Sequence, residues 1–251
     1  MFSPIPDDTN FLLKIKMGLV PGFSIVHKFG FNPDIDVAGV YETVWSKGGQ
    51  YSFRETPTNF YLSSSDASDV GQQFEVILLD VNYNESTHII QLNGQTGVLI
   101  PDGQYLRCNS LMNVSQPSKV TIGDVSIGTE TSPVGGVPTL INTVAFAASQ
   151  NQISNQAVYT VPADHTAFIA NLSASVGKNK DATVLGSFRE FNGTFKNTEQ
   201  LGLYQNTVQR TIPFSVMPEK SDLQMIGTAE TNNQDIAAGF DFILVDNAYL
   251  G

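Results

Sequence analysis

The feature that most limits what this chain can become is the period of its apolar residues. They recur at every second position in short runs, cut by Gly, Pro, Asn or Ser about every 8 to 12 residues. Side chains two positions apart share one face of a β-strand, so each run can bury one face and wet the other. The run from Phe168 to Val176 is the clearest: Phe168, Ala170, Leu172, Ala174 and Val176 alternate with Ile169, Asn171, Ser173 and Ser175. Leu106, Cys108, Ser110, Met112 and Val114 make a second stripe. Further strands are expected over 59–63, 74–83, 87–92, 120–127, 158–161, 183–191, 201–205, 208–214, 223–228 and 236–245. Leu92-Asn93-Gly94-Gln95 and Phe191-Asn192-Gly193-Thr194 each hold the Asn-Gly pair that favours a type I′ turn, so the strands flanking them should pair antiparallel.

The expected fold is therefore all-β, built from antiparallel β-sandwich or jelly-roll-like modules. At 251 residues the chain can bury roughly 70 to 75% of its extended surface, enough for a packed core without staples. Thr129 to Pro138 (TETSPVGGVP) reads as a linker, which divides the chain into sandwiches over 57–128 and 139–251. One larger sandwich with a long crossing loop is the alternative. Residues 1–56 carry Pro4, Pro6, Pro21 and Pro33 and read as an extended N-terminal arm. That arm is apolar enough to need cover, either on its own domain or on a neighbouring subunit, and Phe11, Leu12, Phe29, Phe31 and Trp45 are its candidate partner contacts.

Chemistry leaves few marks. The chain carries 24 acidic and 13 basic residues, a formal charge of −11, with no basic cluster, which argues against direct binding to nucleic acid. Charged residues make up only 15%, while Asn and Gln supply 34 of 251, a neutral polar surface that suits contacts held in an assembly. His27, His88 and His165 are far apart and fit no zinc pattern, and Cys108 is the lone thiol, so no metal or cofactor is expected. Cys108 reads as a small buried hydrophobe, His88 as a histidine on a packed strand face with Ile90 and Leu92, and His165 as a turn residue. The acidic loop with Asp66 and Asp69 lacks the spacing of a calcium loop. No nucleophile elbow, P-loop or dinucleotide fingerprint follows a strand, so an enzyme is not expected. Tyr41, Trp45 and Tyr51 offer an aromatic patch for a glycan-binding alternative, set against Trp45 as a core anchor. Asp7, Asp8, Lys14 and Lys16 leave the N-terminal stretch reading as neither a secretory signal nor a membrane span.

The stretch Gly22-Phe23-Ser24-Ile25-Val26-His27-Lys28-Phe29-Gly30-Phe31-Asn32-Pro33-Asp34-Ile35-Asp36, with Tyr41-Glu42-Thr43-Val44-Trp45-Ser46-Lys47-Gly48-Gly49 after it, resembles a segment of uncharacterised virion structural proteins of tailed phages. The likeness runs more loosely to about Gly128. It implies a β-sandwich component of the particle, a capsid decoration or cement protein or a tail or neck part, and brings no catalytic residue. Its implied partners are other virion proteins and further copies of the same chain, and its implied place is the virion, assembled in the host cytoplasm.

Overall fold

The computed structural model describes residues 10–36, 40–177, 180–204 and 207–251. In chain order the elements are α1 (Phe11–Lys16), β1 (Phe23–Ile35), β2 (Glu42–Thr43), β3 (Tyr61–Ser64), β4 (Val70–Asp80), β5 (Glu85–Asn93), β6 (Val98–Leu99), β7 (Tyr105–Asn113), β8 (Val125–Gly128) and β9 (Thr143–Ala147). There follow β10 (Val158–Thr160), β11 (His165–Val176), β12 (Asp181–Arg189), β13 (Lys196–Tyr204), β14 (Thr207–Met217), β15 (Asp222–Ala229) and β16 (Gln234–Asp246). Every strand pairing is antiparallel among the described residues.

Two sandwiches result. One pairs the sheet β6-β3-β8-β9 with β5-β4-β7 around a core that includes Phe60, Leu62, Phe74, Leu78 and Val125. The other faces β1-β16-β11-β14 against β10-β15-β12-β13, with β2 added beside β15, around Leu172, Val184, Met225, Phe240 and Phe242. The all-β class follows the alternation, but the division along the chain differs from the sequence reading.

The supposed arm supplies β1, which runs beside β16 from Phe23↔Val245 to Ile35↔Gln234 and completes the second sandwich. Its glycines and Pro33 do not stop a strand, because β1 lies at a sheet edge, where a missing N–H can face away from the ladder. The 129–138 segment does not separate the cores either. It joins β8 to β9, which are neighbours in one sheet, and Ser63 Oγ donates to Gly136 O at 2.8 Å. The first sandwich thus spans β3 to β9 and is inserted between β2 and β10 of the second.

Bulges shift two of the predicted faces. In β11 the register slips between Ile169 and Asn171, so Ala167, Ile169, Leu172 and Ala174 face the core and Phe168 faces outward. In β7 the slip places Ser110 opposite Ile77 but Cys108 opposite Leu78, leaving Asn109 unpaired in the ladder. Cys108 and Leu111 then share the first core while Leu106 packs elsewhere, with Leu79 and Tyr83. The Asn192-Gly193 turn does join paired strands, β12 and β13. Asn93-Gly94 closes only a single antiparallel bridge, Asn93↔Thr96, and β6 then pairs with β3 instead of β5. Gly94 is pressed so close to the Ala67 carbonyl that an added Cβ would lie 2.5 Å from its oxygen, which seats the turn against the 64–69 loop.

Candidate functional site

The outward face of β1 carries Phe23 and Ile25, which join Phe168 from β11 and Ile243 and Val245 from β16 in an apolar strip on the outside of the sheet. Helix α1 lies across this strip. Asn10 caps it by accepting from Leu12 N–H at 2.9 Å, and Lys14 and Lys16 in the last turn suit the negative end of its dipole. Ile15 points down and is buried with Val20 packed beside it, and Phe11 meets Phe23 edge to face with centroids 5.9 Å apart.

One short helix cannot cover the strip. Phe11, Leu12, Leu13, Met17 and Leu19 are each about half exposed. Beside them an open apolar hollow of about 230 Å³ is lined by Phe23, Phe168, Ile243, Val245 and Leu250. Val216, opposite Phe168 in the ladder, extends the apolar surface, and Tyr249 packs over Gly22 at its other margin. Scattered exposed aliphatics are ordinary, but this many gathered around one helix make the surface a candidate contact face.

Of the five contact residues expected from sequence, Phe11 and Leu12 lie in this face. Phe29 is exposed farther along β1, and Phe31 is half-buried beyond it. Trp45 is not a surface residue at all. It is fully buried, packs edge to face on Tyr51 at 5.2 Å, and donates its indole N–H to Gly49 O at 3.1 Å. Gly48 and Gly49, both at positive φ, turn the chain back so that this carbonyl reaches the indole. The aromatic patch of Tyr41, Trp45 and Tyr51 therefore presents no Trp face to a sugar. Met17, Leu19 and Leu250 were not singled out from sequence. Their signal was the run from Asn10 to Met17, a capped helical turn with Phe11 and Ile15 four apart.

The three histidines lie apart from one another. His27 Nδ1 and Asp241 Oδ1 are 2.5 Å apart on the exposed outer face. His88 lies on the same side of β5 as Ile90 and Leu92 and meets Ser86 Oγ and the Tyr105 hydroxyl, each at 3.1 Å. His165 opens β11 with Nδ1 at 2.8 Å from Ala163 O. Cys108 is buried, and that burial pushes its thiol up to about 12. Asp69, fully buried, accepts from Ile122 N–H at 2.8 Å, Gly123 N–H at 2.9 Å and Ser64 Oγ–H at 2.5 Å, so it fastens loops together. Asp66 is partly exposed and accepts from Ser68 N–H at 2.8 Å. Among the described residues no group of three or more His, Cys, Asp or Glu side chains converges as a metal site would require, and no helix is long and apolar enough to cross a membrane.

No family model and no curated protein matches the sequence. Among solved structures, the chain is similar to one of infectious bursal disease virus Gt strain, at 10% identity over 95% of this chain and 78% of that one, with a TM-score of 0.23. The Gx strain gives 12% identity over 90% and 73%, with a TM-score of 0.25. The VP2 subviral particle of the same virus gives 12% over 91% and 73%, with a TM-score of 0.18.

Proposed function

We propose that this chain is a structural component of a phage virion, a capsid decoration or cement protein or a part of the tail or neck, and that it acts through protein–protein contacts rather than catalysis. The apolar face around α1 carries this reading. Leaving several large aliphatic and aromatic side chains half in water costs about 25 cal/mol per Å², a cost that a docked neighbour removes. The segment that resembles phage virion proteins, Gly22 to Asp36 with Tyr41 to Gly49, comprises β1, which carries Phe23 and Ile25 of that face, and the Trp45 turn. Its partners in this reading are further copies of the chain and the major capsid, tail or neck proteins, and its location is the particle, reached from the host cytoplasm.

The test has two arms. Mass spectrometry and cryo-EM of purified particles should find the chain in fixed copy number, and its absence from the particle would overturn the proposal. Light scattering behind size exclusion should give a mass above the monomer for the native chain and a lower one for Leu12→Asp and Leu13→Asp. These side chains are exposed, so the variants should fold. Deleting residues 1–56 would be a poor substitute, because it removes β1 and Trp45 from the second sandwich.

A further inference from the structure

Beside β1, where the two sandwiches meet, lies a cleft of about 390 Å³, within the roughly 300–1,000 Å³ of small-molecule sites. At its wall is a lysine that the fold leaves short of partners. Lys28 is 8% exposed, and its ammonium donates to Asn109 O at 2.6 Å. An ammonium has three N–H donors, and among the described residues no second acceptor and no carboxylate meets this one. The β7 bulge aims that carbonyl there, with the Asn109 side chain tied to Thr160 by bonds of 2.9 and 3.1 Å.

Tyr159 also lines the cleft. Its hydroxyl has no hydrogen-bond partner among the described residues, and burial, with the Glu85 charge as a smaller cause, raises its pKa well above the ordinary value, so it remains a donor. A buried cation with open donors is costly unless an anion meets it. The remaining wall decides the rest of the ligand. Ser110, Ser154, Asn155 and, toward the outside, the Glu85 carboxylate give polar ground for hydroxyls, while Val26, Ile77 and Ile153 give apolar ground for ring carbons. A purely apolar acid would strip those polar groups of water without replacing it, and a second negative charge would meet Glu85.

We propose that this cleft binds a carboxylated sugar of monosaccharide size, its carboxylate on Lys28 and Tyr159 and its hydroxyls on the Ser, Asn and Glu wall. This site is separate from the apolar face and stands or falls independently of it.

The test is calorimetric and NMR titration of the purified full chain with glucuronate, glucose and acetate, using the native protein and Lys28→Met. Met fits the buried stem and removes an unpaired charge, so the variant should fold, as its melting curve would verify. Saturable binding of glucuronate is expected, with shifts in the amides of Lys28, Asn109 and Ser110. Glucose and acetate should each bind at least about tenfold more weakly, and Lys28→Met should lose about tenfold or more for glucuronate, the size of one charge-assisted hydrogen bond. Absence of glucuronate binding to the native chain, or equal affinity in a folded Lys28→Met, overturns the site. Acetate binding as tightly as glucuronate overturns the sugar.

Discussion

Arg107 on β7 and Asp222 on β15 belong to different sandwiches and form a two-armed ion pair, Nε to Oδ1 and Nη2 to Oδ2, each at 3.0 Å, with both side chains nearly free of solvent. Burial disfavours the guanidinium charge, but Asp222 outweighs it and holds Arg107 above the ordinary arginine value. The same carboxylate takes Arg189 at 2.7 Å, which also reaches Glu55, and accepts the Thr160 hydroxyl. Arg107 further donates to Arg54 O and stands over the Phe53 and Tyr83 rings at 5.3 and 5.8 Å. A flexible tether would leave these groups in water, so the pair marks a fixed joint between the two cores.

Removing one partner of a buried pair costs about 3–5 kcal/mol, because the other charge is left in a poor solvent. The network here makes the two halves unequal. Arg107→Met leaves Asp222 with Arg189 and should fall near about 3 kcal/mol, whereas Asp222→Ala leaves two guanidiniums without their shared carboxylate and should approach about 5. Urea unfolding followed by circular dichroism measures both. Equal and small losses would mean that the joint is solvated.

Lys28 and Cys108 make opposite contributions to stability in alkali. Burial lowers Lys28 from 10.5 to about 8, so the unfolded chain binds the extra proton between those values and stability rises with pH. Burial raises Cys108 from 9.0 to about 12, so above 9 the unfolded chain releases a proton that the folded one keeps, and stability falls. The rise should therefore show between pH 8 and 9, at about 0.5–1 kcal/mol, and flatten above. In Lys28→Met only the fall should remain. Chemical denaturation at half-unit pH steps gives the curve, and a native chain that loses stability steadily from pH 8 would contradict it.

Trp45 is the single tryptophan, and its burial gives a direct optical check. Its emission should be blue-shifted and insensitive to iodide in the folded chain, then red-shift as the second sandwich opens. Trp45→Phe should cost about 1–3 kcal/mol, since the ring is shortened and the Gly49 carbonyl loses its donor. Ready iodide quenching at neutral pH would return Trp45 to the surface.

How far the sequence discloses this fold depends on what each rule measures. Alternation found β4, β5, β11, β15 and β16 because their faces differ in polarity. It missed β1, where Gly30, Asn32 and Pro33 hide the pattern, and β9, where Thr143 to Ala147 is buried on both faces and so does not alternate. Bulges are invisible to a strict period of two, which is why Phe168 was placed on the wrong face. The insertion of one sandwich into the other is a matter of long-range pairing, Phe23 with Val245 above all, and no local signal carries it. Phe11 and Leu12 were legible as exposed apolar residues of a polar-flanked segment. Trp45 was legible as a core anchor and misjudged as a partner contact, because its place depends on a glycine turn and on Tyr51. Lys28 was passed over because a lone lysine in a strand has no motif, and only the joint between sandwiches gives it meaning.

Asp69 shows how a residue that reads as a solvated loop acid can hold a core edge. Its two oxygens receive the Ile122 and Gly123 N–H groups and the Ser64 hydroxyl, and Gly94 N–H reaches its own carbonyl at 2.7 Å, so three segments meet on one residue. Asp69→Asn keeps the shape but turns an acceptor into a donor that faces other donors, so at least one buried N–H or O–H loses its bond. Each such loss costs about 1–3 kcal/mol, and Asp69→Ala, which strands all three, should exceed Asp69→Asn. Hydrogen exchange should speed first at the amides of Ile122 and Gly123, while β4 and β7 stay protected, because the carboxylate joins loops and not the central ladder. Unchanged exchange at those two amides in either variant would show that backbone packing alone closes the loop.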